Sequence, residues 1–233
     1  QLVNKAAQLN MPALAITDHG VMYGVIDFYK ACKKAGIKPI IGCEVYVAPN
    51  RRTERVPGRD DNNRHLILLA ENQEGYQNLL KLVSQAHIDG FYYKPRVDKE
   101  LLREHNKGLI ALSACLAGEV SQHLLNDQME MAVRSALEYE EIFGKGNFYL
   151  EVQNHGLEEE LKVIRGMFQV HEQTGIPMVA TNDVHYINRE DAFIQDVLIC
   201  IQTGKTLTDS ARMSFSSEEF FLKSEEEMEL LFG

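Results

Sequence analysis

Six short apolar runs, each followed by a polar or amphipathic stretch, set the tightest limit on what this chain can become. They are Ala13 to Ile16, Pro39 to Ile41, His65 to Ala70, Leu109 to Leu112, Phe148 to Val152 and Met178 to Ala180. Runs this short have strand length, and the stretches between them carry helical periodicity. The clearest helical pattern places Leu157, Leu161, Ile164, Phe168 and His171 on one expected apolar face. Strands alternating with helices imply a parallel sheet with right-handed crossovers, doubly wound or closed as a barrel.

A second regularity lies on top of the first. Pro12 precedes Asp18, Pro39 precedes Glu44 and Pro177 precedes Asp183, so a carboxylate follows each proline five or six residues later. A strand rises roughly 3.3 Å per residue, which brings the three carboxylates out at similar heights near the C-terminal strand ends. Open α/β sheets and (βα) barrels place their chemistry at that end. Acidic residues also simply begin loops, but three in register, two of them beside a histidine, favour a site.

The 233 residues, 45% apolar and 25% charged, suffice for one large domain or two small ones. No segment has the apolar length of a membrane span. Cys32, Cys43, Cys115 and Cys200 are scattered without paired spacing, which points to a reducing, cytoplasmic setting. A net charge of −10 is the wrong sign for a surface that grips nucleic acid throughout. Any such contact must therefore be local. The chain opens within a helical pattern and without Met, so a fragment of a longer protein is expected.

Chemistry concentrates in Asp18-His19, Glu44, His65, Cys115 and Asp183-Val184-His185. Imidazole, carboxylate and a single thiol suit Zn²⁺ or Mn²⁺ better than the all-oxygen shells preferred by Mg²⁺ and Ca²⁺. Alternate residues of an extended segment point the same way, so Asp183 and His185 can reach one cluster. Carboxylates that bridge metals support water activation and phosphoryl transfer.

Ile16-Thr17-Asp18-His19-Gly20, Gly42-Cys43-Glu44, Leu112 to Glu119 (LSACLAGE) and Ala180 to Tyr186 (ATNDVHY) together resemble the PHP (polymerase and histidinol phosphatase) domain. More narrowly, Gly90 to Arg96 (GFYYKPR) and Leu222 to Met228 resemble the version at the N-terminus of the alpha subunit of bacterial C-family replicative DNA polymerases. The resemblance runs over essentially the whole chain. It implies a distorted seven-stranded (βα) barrel holding up to three Zn or Mn ions at its mouth. Glu44 would bridge two ions, with His65 and Cys115 completing one site. Asp183 would share another ion with Glu44, and His19 and His185 would hold the third. Asp18 would stand behind the ligands. Asp183, His185 and His19 are the expected catalytic residues. The family's opening HxH strand is absent from this chain, so six expected ligands are present and fewer ions are expected. The first barrel strand would then leave a gap, to be covered by the tail, filled by a neighbour or left open. Residues 1–205 are expected to form the barrel, and 206–233 to lead toward a polymerase body.

Glu151 and His155, at another expected strand end, are weaker candidates for the cleft. The polar insertion from Asn50 to Arg64 reads as a mobile loop whose Arg51, Arg52, Arg55 and Arg59 overhang the mouth, solvated or holding a phosphate backbone. Phe91 to Arg96 reads first as packing, second as a platform for single strands. Three functions compete: a metal-dependent phosphoesterase of 3′–5′ exonuclease type in a replicative polymerase, a metal-braced scaffold docking a proofreading exonuclease, and a histidinol-phosphatase-like enzyme. DNA and other replicase subunits are the partners implied, with no membrane.

Overall fold

Proline and glycine punctuation, caps and alternating burial organise residues 1–233, all of which the computed structural model describes. In chain order the elements are α1 (Leu2–Gln8), β1 (Ala13–Ile16), α2 (Val25–Ala35), β2 (Lys38–Val47), β3 (Arg64–Ala70), α3 (Gln73–Ile88), β4 (Arg96–Val97), α4 (Lys99–Glu104) and β5 (Leu109–Leu112). Then follow α5 (Glu119–Leu125), α6 (Met129–Phe143), β6 (Phe148–Val152), α7 (Glu158–Thr174), β7 (Met178–Ala180), α8 (Ala192–Thr203) and α9 (Glu225–Phe232). Asn72 caps α3 through the Gly75 amide and Asp98 caps α4 through that of Leu101. Each side chain satisfies an amide left orphaned at a helix start.

The strands form one curled half-barrel sheet in the order β1-β2-β3-β5-β6-β7, with short β4 alongside the end of β2. It is not wholly parallel as expected. β3 runs antiparallel to both β2 and β5, while β1–β2, β5–β6 and β6–β7 are parallel. The reversal follows from the connection: residues 48–63 carry no helix, so β3 returns beside β2 without a crossover. One consequence is functional. His65, at the start of β3, emerges at the same rim as residues that leave the ends of the parallel strands.

Alternation separates the two faces of the sheet. Cys43, Val45, Leu66, Leu68, Leu109, Ala111, Phe148 and Leu150 face outward and join the main core beneath α3 to α7. Ile67, Leu112 and Ala114 face the concave side with Leu69, Ile110, Tyr149 and Val179. β2 runs well past the expected Ile41, pairing with β1 up to Ile41 and with β3 from Gly42. At this switch a Cβ on Gly42 would come within 2.6 Å of the Leu68 carbonyl, so only glycine fits.

Three other expectations are corrected. The buried face of α7 is Val163, Met167 and Val170, whereas Leu161 and Phe168 are exposed. The period was right and the face was wrong. The 50–64 insertion is pinned: buried Arg96 donates to the carbonyls of Gly90, Asp60, Arg52 and Glu54 at 2.7–2.9 Å. Arg52 is tied to Asp98 and Arg59 to Asp60, so these two do not present free cations to a phosphate backbone.

The tail, finally, returns to the sheet. Phe221 bridges to Tyr186 beyond β7. Leu222 packs with Val3, Ala6, Phe28, Cys32 and Ile37 beside β1. Residues 221–222 thus contact both the segment after β7 and the small core beside β1.

Candidate metal centre

β1 ends where its backbone splices onto β2: the Glu44 amide donates to the Asp18 carbonyl (3.0 Å) and the Gly20 amide to the Glu44 carbonyl (2.8 Å). Glu44 therefore lies inside β2 yet level with the end of β1, although its strand continues to Val47. A Cβ on Gly20 would sit 2.8 Å from Pro95 and 3.1 Å from Tyr46, and its φ is +67°. The loop can carry His19 close to the rim only with glycine there.

Period-two alternation aims Glu44, Tyr46 and His65 into the concave side. The Nδ1 of His19 lies 3.6 Å from Glu44 Oε2, and His65 Nδ1 lies against Glu44 Oε1. Donor atoms of these three residues all fall within 4.8 Å of one another. Cys115 Sγ is 3.7 Å from His65 Nδ1. The rings of His19 and His185 are 6.3 Å apart, and His185 Nδ1 lies 3.7 Å from Asp183 Oδ1. Of the six sequence candidates, His19, Glu44 and His65 share one donor group, Cys115 adjoins it through His65, and Asp183 and His185 form a neighbouring pair across from His19. Asp18 contributes its backbone to the splice and is otherwise exposed.

Two turns that carry candidate ligands hold non-glycine residues in the left-handed region: Ala114 (φ +63°), before Cys115, and Asp183 itself (φ +43°). Such conformations cost about 1–3 kcal/mol each and cluster where function fixes the backbone. Asp183 is held by a device that the sequence only hinted at. His155 is buried, its Nδ1 meeting Glu160 Oε1 at 2.5 Å and its Nε2 meeting the Asn182 carbonyl at 2.8 Å. Phe220 stacks on the ring at 3.8 Å, and the Asn182 amide reaches the Phe221 carbonyl. With both nitrogens committed, His155 is a positioning residue behind Asp183 and does not line the cleft. Glu160 gave no sign in the sequence because it sits on a helix among solvent-facing acids.

The electrostatics suit a cation. Burial raises the Asp183 carboxyl, opposed by His185 and reinforced by the charge of Glu44. Burial also pushes the Cys115 thiol far up, with Glu44 and Asp183 adding to the rise. Glu151, on the concave face, is lifted to about 7 by burial, against the hydrogen bond from Thr181. Its Oε2 is sealed from solvent without a hydrogen-bond donor, while Oε1 of Glu44 has only the His65 imidazole against it. Clustered acids, an orphaned carboxylate oxygen and a thiol beside imidazole fit a divalent metal, which would supply the missing positive charge.

Comparison with known proteins decides the family. The family model described as PHP domain matches residues 1–155, well over half of the chain. This chain belongs to the PHP domain family. DNA polymerase III subunit alpha of Treponema pallidum (strain Nichols) is 49% identical to this PHP domain over 235 residues, covering 100% of the chain and 20% of that protein. The Thermus aquaticus subunit is 48% identical over 219 residues, covering 93% and 18%. The chain thus spans about one fifth of the length of the curated relatives it matches. Among solved structures, an amidohydrolase from Chromobacterium violaceum with bound sulfate and no metal aligns at a TM-score of 0.44 and 13% identity, over 77% of this chain and 81% of that one.

Proposed function

We propose that this PHP domain is a metal-dependent phosphoesterase acting on DNA within the alpha subunit of a bacterial replicative polymerase. The observation that supports the reading is the cluster of His19, Glu44 and His65 donor atoms within 4.8 Å of one another, with Cys115 beside His65 and the Asp183–His185 pair next to His19. Zn²⁺ or Mn²⁺ is the ion this donor set favours. When bound, such ions activate water and offset charge on phosphoryl oxygens.

The chain's own residues supply the frame. Glu44, whose two oxygens face two different imidazoles, would bridge ions. His65 and Cys115 would complete one site with it. Asp183 would share a second ion with Glu44, and His19 with His185 would hold a third. His19 is the most open of these, with its side chain 46% exposed. Together with Asp183 and His185 it forms the side that a phosphodiester would meet. DNA synthesis by the larger polypeptide, its replicase subunits and a cytoplasmic setting belong to the same proposal. No helix of this chain is long and apolar enough to cross a membrane.

A second reading, a metal-braced scaffold for a proofreading exonuclease, draws support from α8, where Phe193, Ile194, Leu198 and Ile201 are all more than half exposed. One assay separates the readings. The domain, extended upstream through the HxH strand and loaded with Zn²⁺ or Mn²⁺, is expected to release nucleotides from the 3′ end of single-stranded DNA. It should leave histidinol phosphate untouched, and Asp183→Asn should lower the rate at least a hundredfold. Inertness with both metals, alongside a melting temperature that drops in Asp183→Asn, would overturn the phosphoesterase in favour of the scaffold.

A further inference from the structure

Beside the metal centre the chain carries an aromatic lip that the ligand set leaves unused. Phe91 to Pro95 runs past the mouth, with Pro95 packed on Gly20 and Tyr46, and with the Tyr46 ring 5.2 Å from His65 and 6.2 Å from His19. Half of this segment is packing: Pro95 is buried and Tyr92 lies against Arg96 at 5.1 Å. The other half rests one ring edge or face on a neighbour, Tyr93 on Tyr92 at 4.5 Å and Phe91 on His87 at 6.3 Å, and leaves the rest open. Phe91 is 50% exposed and Tyr93 is 72% exposed.

Tyr93 also occupies the left-handed region (φ +57°), at the tip of a turn closed by the Tyr92 amide on the Lys94 carbonyl. Glycine or asparagine is the unstrained choice there. The chain instead displays a large ring to solvent at a strained position, an outlier that points to function. Two cations lie on neighbouring segments. The Lys94 ammonium stands 5.4 Å over the Tyr46 ring, and the exposed Arg55 guanidinium donates to the Asp89 carbonyl.

We propose that Phe91, Tyr93, Lys94 and Arg55 form a binding lip for single-stranded DNA, which stacks its bases on the exposed rings and leads its backbone to the rim holding His19 and Glu44. Unpaired bases stack on aromatic rings with little regard to sequence, and flanking cations neutralise the phosphates. A duplex hides its base faces and gains only the cations. A local lip also reconciles nucleic-acid binding with a net charge of −10. The proposal deepens the phosphoesterase reading by naming the residues that would receive its single-stranded substrate, and it rests on that reading for its purpose.

The test is fluorescence anisotropy of a labelled eight-residue oligodeoxythymidylate on the 233-residue chain in EDTA, with no hydrolysis involved. Binding is expected, and should weaken at least tenfold for the corresponding duplex. Tyr93→Asn, which suits the left-handed turn, should weaken binding at least fivefold, while Tyr93→Phe should restore it. Lys94→Gln should lower the salt dependence, removing one phosphate contact from the slope. Circular dichroism and melting check that each variant is folded. Unchanged affinity in Tyr93→Asn, a preference for duplex, or no binding by the parent chain would overturn the lip. Because metal is absent throughout, that failure would leave the metal centre standing, and a catalytically inert domain would leave the lip standing.

Discussion

Glu151 shows how one side chain registers the field at the rim. Its carboxyl is buried, faces the charges of Asp183 and Glu44, and titrates at about 7. A carboxyl whose folded pKa is raised binds its proton more tightly in the native state. Its contribution to stability is therefore full below the unfolded value of 4.5 and is lost as pH rises through about 7. Glu151→Gln removes that loss. In metal-free protein the variant should gain on the parent by up to about 3 kcal/mol between pH 5 and pH 8. Denaturant melts across that range measure the difference, and a gap independent of pH would refute the assignment. His155 and Glu151 were both visible as polar residues closing a strand. Their separate roles were not, because a single sequence does not show that Glu160, five residues on, and Phe220, far along the chain, close around His155.

At the scale of elements, five of the six apolar runs became strands within one residue of the expected bounds, because proline and glycine mark their ends. The exceptions have physical causes. β2 extends to Val47 because it changes partner at Gly42, and pairing with a distant strand leaves no local signature. The antiparallel sense of β3 depends on the missing crossover, and an apolar run reads alike in either direction. On α7, Val163, Met167 and Val170 alternate with Leu161 and Phe168 closely enough that both faces looked apolar. The tail is the element whose role is most directly testable. Leu222 joins the small core beside β1 while Phe221 bridges to Tyr186, so truncating Leu222 loosens the tail's hold on the β1 side. Leu222→Ala should cost about 2–4 kcal/mol in urea unfolding. A loss below about 0.5 kcal/mol would show that the tail lies on the surface without joining that core.

For the whole molecule, the residue types of the centre were legible because metal ligands are few in kind and recurred at comparable strand positions. Their convergence was expected from those positions and from the family resemblance, but the means were not legible: His65 arrives on an antiparallel strand and Asp183 on a turn with φ +43°. The account stands or falls on whether this rim takes up metal through Glu44. The direct measurement is isothermal titration of chelator-stripped chain with Zn²⁺ and Mn²⁺, repeated on Glu44→Gln after circular dichroism confirms its fold. At least one tightly bound ion per parent chain, lost or weakened at least a hundredfold in Glu44→Gln, is the predicted result. No uptake by the parent, or the same uptake in the folded variant, would contradict it.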